Sequence, residues 1–175
     1  MQRQGMLKAM ICLGVLLFAR LMPHLPNFSP YTSLVLLLGC QLTRREALFL
    51  TFGSLVLSDL ALALLFGYSV FGLWSLFTYT GFLAVALGSA FFLNQQFRFL
   101  RVIFYALSSV FGYWLWTNFG TWITTDLYAH SISGFGMCLI AGLPFLQSSM
   151  MAALVYVPIC FGLIRFLEDR NMFAI

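Results

Sequence analysis

Arg20 and Asp59 are opposite charges set within apolar runs of a chain in which only 8% of residues are charged. An ionised side chain at bilayer depth costs at least roughly 2.5–3.5 kcal/mol if it is unpaired. The two can pair with each other and fix helix packing alone, or either can meet a bound ligand. His24 stands between Pro23 and Pro26 in a segment, Arg20 to Pro30, that cannot be regular helix because its prolines remove backbone donors. Such a segment leaves its carbonyls, His24 and Asn27 able to line a cavity. An imidazole there either contacts a ligand or is merely solvated, and no metal role is assigned to it. Asn118-Phe119-Gly120-Thr121-Trp122 brings together an amide, a glycine and an indole donor, which can bind a polar ligand or cap a helix. Further on, Asp126, Tyr128 and His130 mark a more polar stretch.

Catalytic constellations are missing from this inventory. The chain has no nucleophile elbow, no paired carboxylates, no histidine pair at helical spacing and no glycine-rich phosphate loop. No catalytic residue, cofactor or metal is expected. Cys12, Cys40, Cys138 and Cys160 lack metal or redox spacing and read as small buried hydrophobes.

The elements that hold these residues follow from charge and hydropathy. Hydrophobic residues make up 62% of 175 positions, far from soluble composition. That length allows about six crossings of roughly 20 residues each and leaves no room for an extramembrane catalytic domain. Arg3 and Lys8, Arg44 and Arg45, Arg98 and Arg101, and Arg165 and Arg170 fall at alternate junctions between apolar runs. By the positive-inside rule these junctions face the cytoplasm, so both termini are expected there. The net charge of +4 is accounted for by this pattern and by anionic lipid, without nucleic acid. Arg3 and Lys8 before an apolar run imitate a secretory signal. The run leads into Arg20 and Pro23 and not into a cleavage site, so it is read as the first helix.

The expected spans are Leu7 to Met22, Tyr31 to Leu42, Glu46 to Phe66, Val70 to Leu93, Phe99 to Phe119 and Pro144 to Leu167, in one membrane domain over 1–175. The second is too short to cross upright and reads as part of a broken element. Gly120 to Leu143 reads as a long outer loop, and Trp114, Trp116 and Trp122 as interfacial anchors. Arg20, His24, Asn27, Asp59, Asn118, Trp122 and Tyr128 then fall in the outer half and form the expected substrate-binding set.

Together, Arg20 to Pro30, Leu57-Ser58-Asp59, Thr117-Asn118-Phe119-Gly120-x-Trp122 and Gly142-Leu143-Pro144-Phe145 resemble a family of small bacterial membrane proteins. That family is related to the substrate-binding (S) components of energy-coupling-factor transporters and includes solitary cobalamin transporters of the BtuM type. The resemblance spans Arg20 to about Glu168. It implies an all-α, six-helix S-component-like bundle in the inner membrane with a cavity open to the periplasm. The bound substrate it implies is vitamin-like or a corrinoid such as cobalamin, taken up with or without an energy-coupling module. Cobalamin-transporting members ligate cobalt through a central cysteine. Here Thr78 and Thr80 occupy that region, and a hydroxyl is a poor cobalt ligand beside a thiolate. The expected function is substrate capture and uptake, with the proline-interrupted segment and the outer loop as gates. The alternatives are a membrane-embedded ligand-modifying enzyme and a non-transporting partner subunit.

Overall fold

The computed structural model describes residues 2–22, 25–69, 71–93 and 98–169, with side chains from 9 to 166. Over the described residues it is all-α, with six helices: α1 (Gln2–Leu21), α2 (Tyr31–Gln41), α3 (Arg44–Phe66), α4 (Leu73–Phe92), α5 (Phe99–Thr124) and α6 (Ile132–Asp169). Four of them, α3 to α6, are long and apolar enough to cross a membrane. Among the described residues α1 contributes the shorter apolar stretch Ala9–Leu21, and α2 is only 11 residues long. The outward faces carry large apolar side chains, among them Leu64 at 88% and Leu100 at 80% exposure, a belt suited to lipid and unusual on a soluble monomer.

Local chemistry sets the boundaries. Thr43 and Glu46 form a reciprocal capping box that opens α3 at Arg44, and Gly67 closes it in the left-handed conformation (φ 70°). The Ser75 hydroxyl accepts from the Gly72 amide at 3.1 Å, so α4 begins at Leu73, later than the expected Val70, which lies outside the described residues. Ser29 accepts from the Tyr31 amide at the start of α2 and donates to the Ala19 carbonyl at the end of α1.

The expected long loop from Gly120 to Leu143 is corrected: α5 continues to Thr124, α6 begins at Ile132, and the connection is 125–131. The cause is the pairing of the polar side chains. The Thr117, Thr121, Thr124 and Thr125 hydroxyls each donate to the carbonyl four residues back, a bond that hides polarity inside a helix. Pro144, expected at the start of the last span, lies inside α6 together with Pro158. The Trp114 indole donates to the nearby Gly142 carbonyl at 2.8 Å.

The core is formed chiefly around α2, where Val35 and Leu36 are fully buried together with Leu55, Ala86 and Leu93. Helices α2 and α4 meet so closely at Gly39 that a Cβ would be driven into the Ala86 carbonyl and the Ser89 hydroxyl. A clash with backbone cannot be relieved by a rotamer change. Gly39→Ala is therefore expected to destabilise the bundle by about 1–3 kcal/mol, seen as a lower unfolding midpoint in detergent.

Candidate functional site

Tyr31, the first residue of α2, packs edge-on against Phe82 with ring centroids 4.8 Å apart. Phe82 is about 13 Å along α4 from Leu73 at 1.5 Å per residue. On the other side the Ser148 hydroxyl donates to the Pro26 carbonyl at 2.8 Å and Ser149 to the Asn27 carbonyl at 3.3 Å. These serines lie about 25 Å along α6 from Ile132. The segment 25–30 thus runs between α1 and α2 at mid-helix level against α6, with Leu25, Pro26 and Asn27 exposed and Phe28 to Pro30 half-buried. Non-helical backbone at such depth needs partners from protein or water, and the two serines supply them. Asn27 is the only non-glycine residue with positive φ (59°) among the described residues, a conformation that asparagine tolerates better than most residues do.

Beside this segment lies a cavity with two lobes that share Asn27, Val110, Tyr113 and Ser149. The first lobe, of about 290 Å³, is bounded by Arg20, Tyr31, Thr78 and Phe82. The second, of about 270 Å³, is walled by Trp114, Asn118 and Cys138 and bounded by Leu127 and Tyr128 of the 125–131 connection. Each lobe is near the lower end of the roughly 300–1,000 Å³ typical of small-molecule sites.

Of the residues singled out in the sequence, Arg20, Asn27, Asn118 and Tyr128 meet at this cavity. His24 lies outside the described residues. Asp59 does not line either lobe and stays behind Arg20, 5% exposed. It accepts Arg20 Nη2 on one oxygen at 2.5 Å and the Tyr79 hydroxyl on the other at 2.6 Å. Arg20 is 17% exposed, and its guanidinium lies 5.4 Å from the centre of the Tyr31 ring. Tyr31 is itself held by its hydroxyl, which contacts Ser54 at 2.8 Å. Trp122 is also absent from the lining. Its indole donates to the Ala129 carbonyl at 2.9 Å and packs on Phe135 and His130, so it ties down the 125–131 connection. Trp114, expected as an interfacial anchor, is instead buried in the cavity wall.

Several wall residues are absent from the set chosen from sequence. Ser149 belongs to a serine pair inside an apolar run, and Tyr31 directly follows Pro30. Both were visible as interruptions of pattern. Cys138, read as a bland hydrophobe, lies 3.5 Å and 3.6 Å from the two Asn118 oxygens. Asn118 in turn donates to the Trp114 carbonyl at 2.8 Å. A Cβ at Gly142 would come within 2.6 Å of Asn118 Oδ1, so glycine there permits the wall to close.

The electrostatics of the site predict unequal consequences of substitution. Removing one partner of a buried ion pair strands the other, so Asp59→Ala should cost about 3–5 kcal/mol. Tyr79→Phe removes one hydrogen bond to a charged group and should cost about 1.5–3 kcal/mol. Detergent unfolding of the two variants measures that order. Trp122→Phe should leave global stability nearly intact while hydrogen exchange quickens at the Ser131 amide, whose acceptor is the Ala129 carbonyl that the indole also holds.

No curated protein and no solved structure matches this chain. The profile of a family of unknown function, DUF6580, covers residues 1–174. With a match over nearly its whole length, the chain belongs to the DUF6580 family.

Proposed function

We propose that this protein captures a small molecule at the periplasmic face of a bacterial inner membrane and carries it inward, with both termini in the cytoplasm. The observation that carries the reading is the two-lobed cavity beside the irregular, proline-rich segment, lined by side chains from all six helices and from the 125–131 connection. Arg44, Arg45 and Arg98 lie at the α3 and α5 starts, with Arg101 in the first turn of α5 and Arg165 near the end of α6. The positive-inside rule assigns that end to the cytoplasm. The 125–131 connection, which borders the second lobe, joins the opposite ends of α5 and α6. This disposition agrees with the S-component resemblance of the sequence. Lobes of 270–290 Å³ favour a vitamin-sized ligand over a corrinoid, which would need the 125–131 connection to swing aside.

A second reading, a subunit that docks on a membrane partner, draws on two glycines. Gly81 and Gly88 are occupied internally by Tyr113 and Tyr105, whereas Gly14 and Gly53 face open space where a neighbouring helix could approach closely. The same surface would serve an energy-coupling module, so this reading adds to capture as readily as it replaces it.

Native mass spectrometry and an absorbance spectrum of protein purified from cells supplied with vitamins and corrinoids test the capture reading. About one small molecule per chain is expected, with binding weakened about tenfold or more (roughly 1.4 kcal/mol) in Asn118→Ala. Protein that arrives empty and binds no member of the supplied mixture on titration would leave the partner-subunit reading.

A further inference from the structure

The charges around the cavity are distributed unevenly. Among the described lining residues of both lobes, Arg20 is the only charged side chain. Its counter-charge, Asp59, is withdrawn from the lining and held from the far side by the Tyr79 hydroxyl. The pair is neutral in sum, yet it presents its positive end to the space. An arginine carries five donors in a planar fork, more than a single carboxylate oxygen can use, and suits a second carboxylate. The Tyr31 face and the Ser54 contact keep the guanidinium placed without relying on Asp59 alone.

We infer that the Arg20 end of the cavity is an anion subsite, in which the guanidinium receives a carboxylate of the captured molecule while the apolar and aromatic wall takes its body. The inference rests on the capture reading and names its substrate class: a small monocarboxylate with an apolar or aromatic body. Phe82, Val110 and Tyr113 form the wall beside Arg20. A monoanion is favoured over a phosphate dianion by charge arithmetic. With Asp59 ionised the pair sums to zero, so a monoanion leaves one net negative charge and a dianion two, at a depth where low dielectric magnifies the difference. Asp59 then acts as the internal anion that holds Arg20 when the subsite is empty, and it keeps Tyr79 as a donor when the guanidinium turns toward a ligand.

Benzoate, benzamide and phenyl phosphate share an aromatic body and differ in charge, so their binding to the purified protein in detergent, followed by thermal shift, tests the subsite. Benzoate is expected to bind at least about tenfold more tightly than benzamide (roughly 1.4 kcal/mol) and more tightly than phenyl phosphate. Two variants move in opposite directions. Asp59→Asn removes the competing carboxylate and should strengthen benzoate binding. The double variant Arg20→Gln with Asp59→Asn keeps a polar pair without charge and should erase the preference. Equal binding of benzoate and benzamide, a stronger phosphate, or a preference that survives the double variant overturns the inference. If the variants do not fold, the comparison on the unaltered protein still decides. Failure of all three probes beside a co-purified neutral molecule sinks the anion subsite and leaves capture standing; failure of the probes with an empty protein sinks both.

Discussion

A buried carboxylate with two donors governs how the cavity end of this bundle is built. Asp59 on α3 cannot remain ionised in an apolar interior without compensation, and compensation comes from two other helices: Arg20 at the end of α1 and Tyr79 in α4. That requirement fixes α1 against α3 near the point where α1 stops, and it places α4 on the opposite side of the same carboxylate. With α1 pinned by its last turn, Ser29 reaches back to the Ala19 carbonyl and holds the start of α2 at Tyr31 beside the end of α1. Hydrophobic packing alone would let α1 and α3 slide along each other, since apolar side chains are interchangeable in register; an ion pair is not.

The irregular 25–30 segment raises a second problem, the backbone. Irregular chain at bilayer depth exposes carbonyls and amides that lipid cannot satisfy. Pro26 and Asn27 present carbonyls, and α6 answers with Ser148 and Ser149, residues whose hydroxyls would otherwise be out of place in an apolar run. The threonines of α5 use the alternative solution, bonding within their own helix. Polar side chains in this protein accordingly have two kinds of role, and both kinds line the cavity: Ser149 reaches across helices, whereas Thr117 and Thr121 bond within α5.

That division explains what the sequence revealed. Spans three and four, the brevity of α2 and the polar character of Arg20, Asn27, Asn118 and Tyr128 were legible because each interrupts an apolar pattern. The 120–143 region was misread as a loop because threonine and tryptophan count as polar whether or not their donors are paired inside a helix, and pairing is a three-dimensional fact. Pro144 misled for a related reason: a proline within a long helix looks like a boundary, although α6 runs on through both Pro144 and Pro158. Asp59 and Trp122 were correctly seen as unusual yet are absent from the cavity lining. Sequence shows that a residue needs a partner, whereas the choice between ligand and protein partner depends on which helix arrives from the other side.

Under the capture reading, inward release must open a route past the Arg20 end of the cavity, and the structure is unequal in how easily its parts could yield. The α2–α4 contact is packed backbone to backbone at Gly39, with Val35 and Leu36 fully buried beside it, so separating these helices exposes core and breaks close contacts all along α2. The 25–30 segment is anchored to α6 through two hydroxyl-to-carbonyl bonds, each worth only about 0.5–1.5 kcal/mol net and replaceable by water entering the cavity, and through one ring contact, Phe28 on Tyr156 at 5.5 Å. Movement therefore costs least where the chain is irregular, with α2 and α4 moving as one block and the proline-rich segment as the element that rearranges. Arg20 sits at the junction of these two regions, joined to the rigid side through Asp59 and Tyr31 and to the yielding side by chain continuity. A ligand that engages Arg20 would be felt by both.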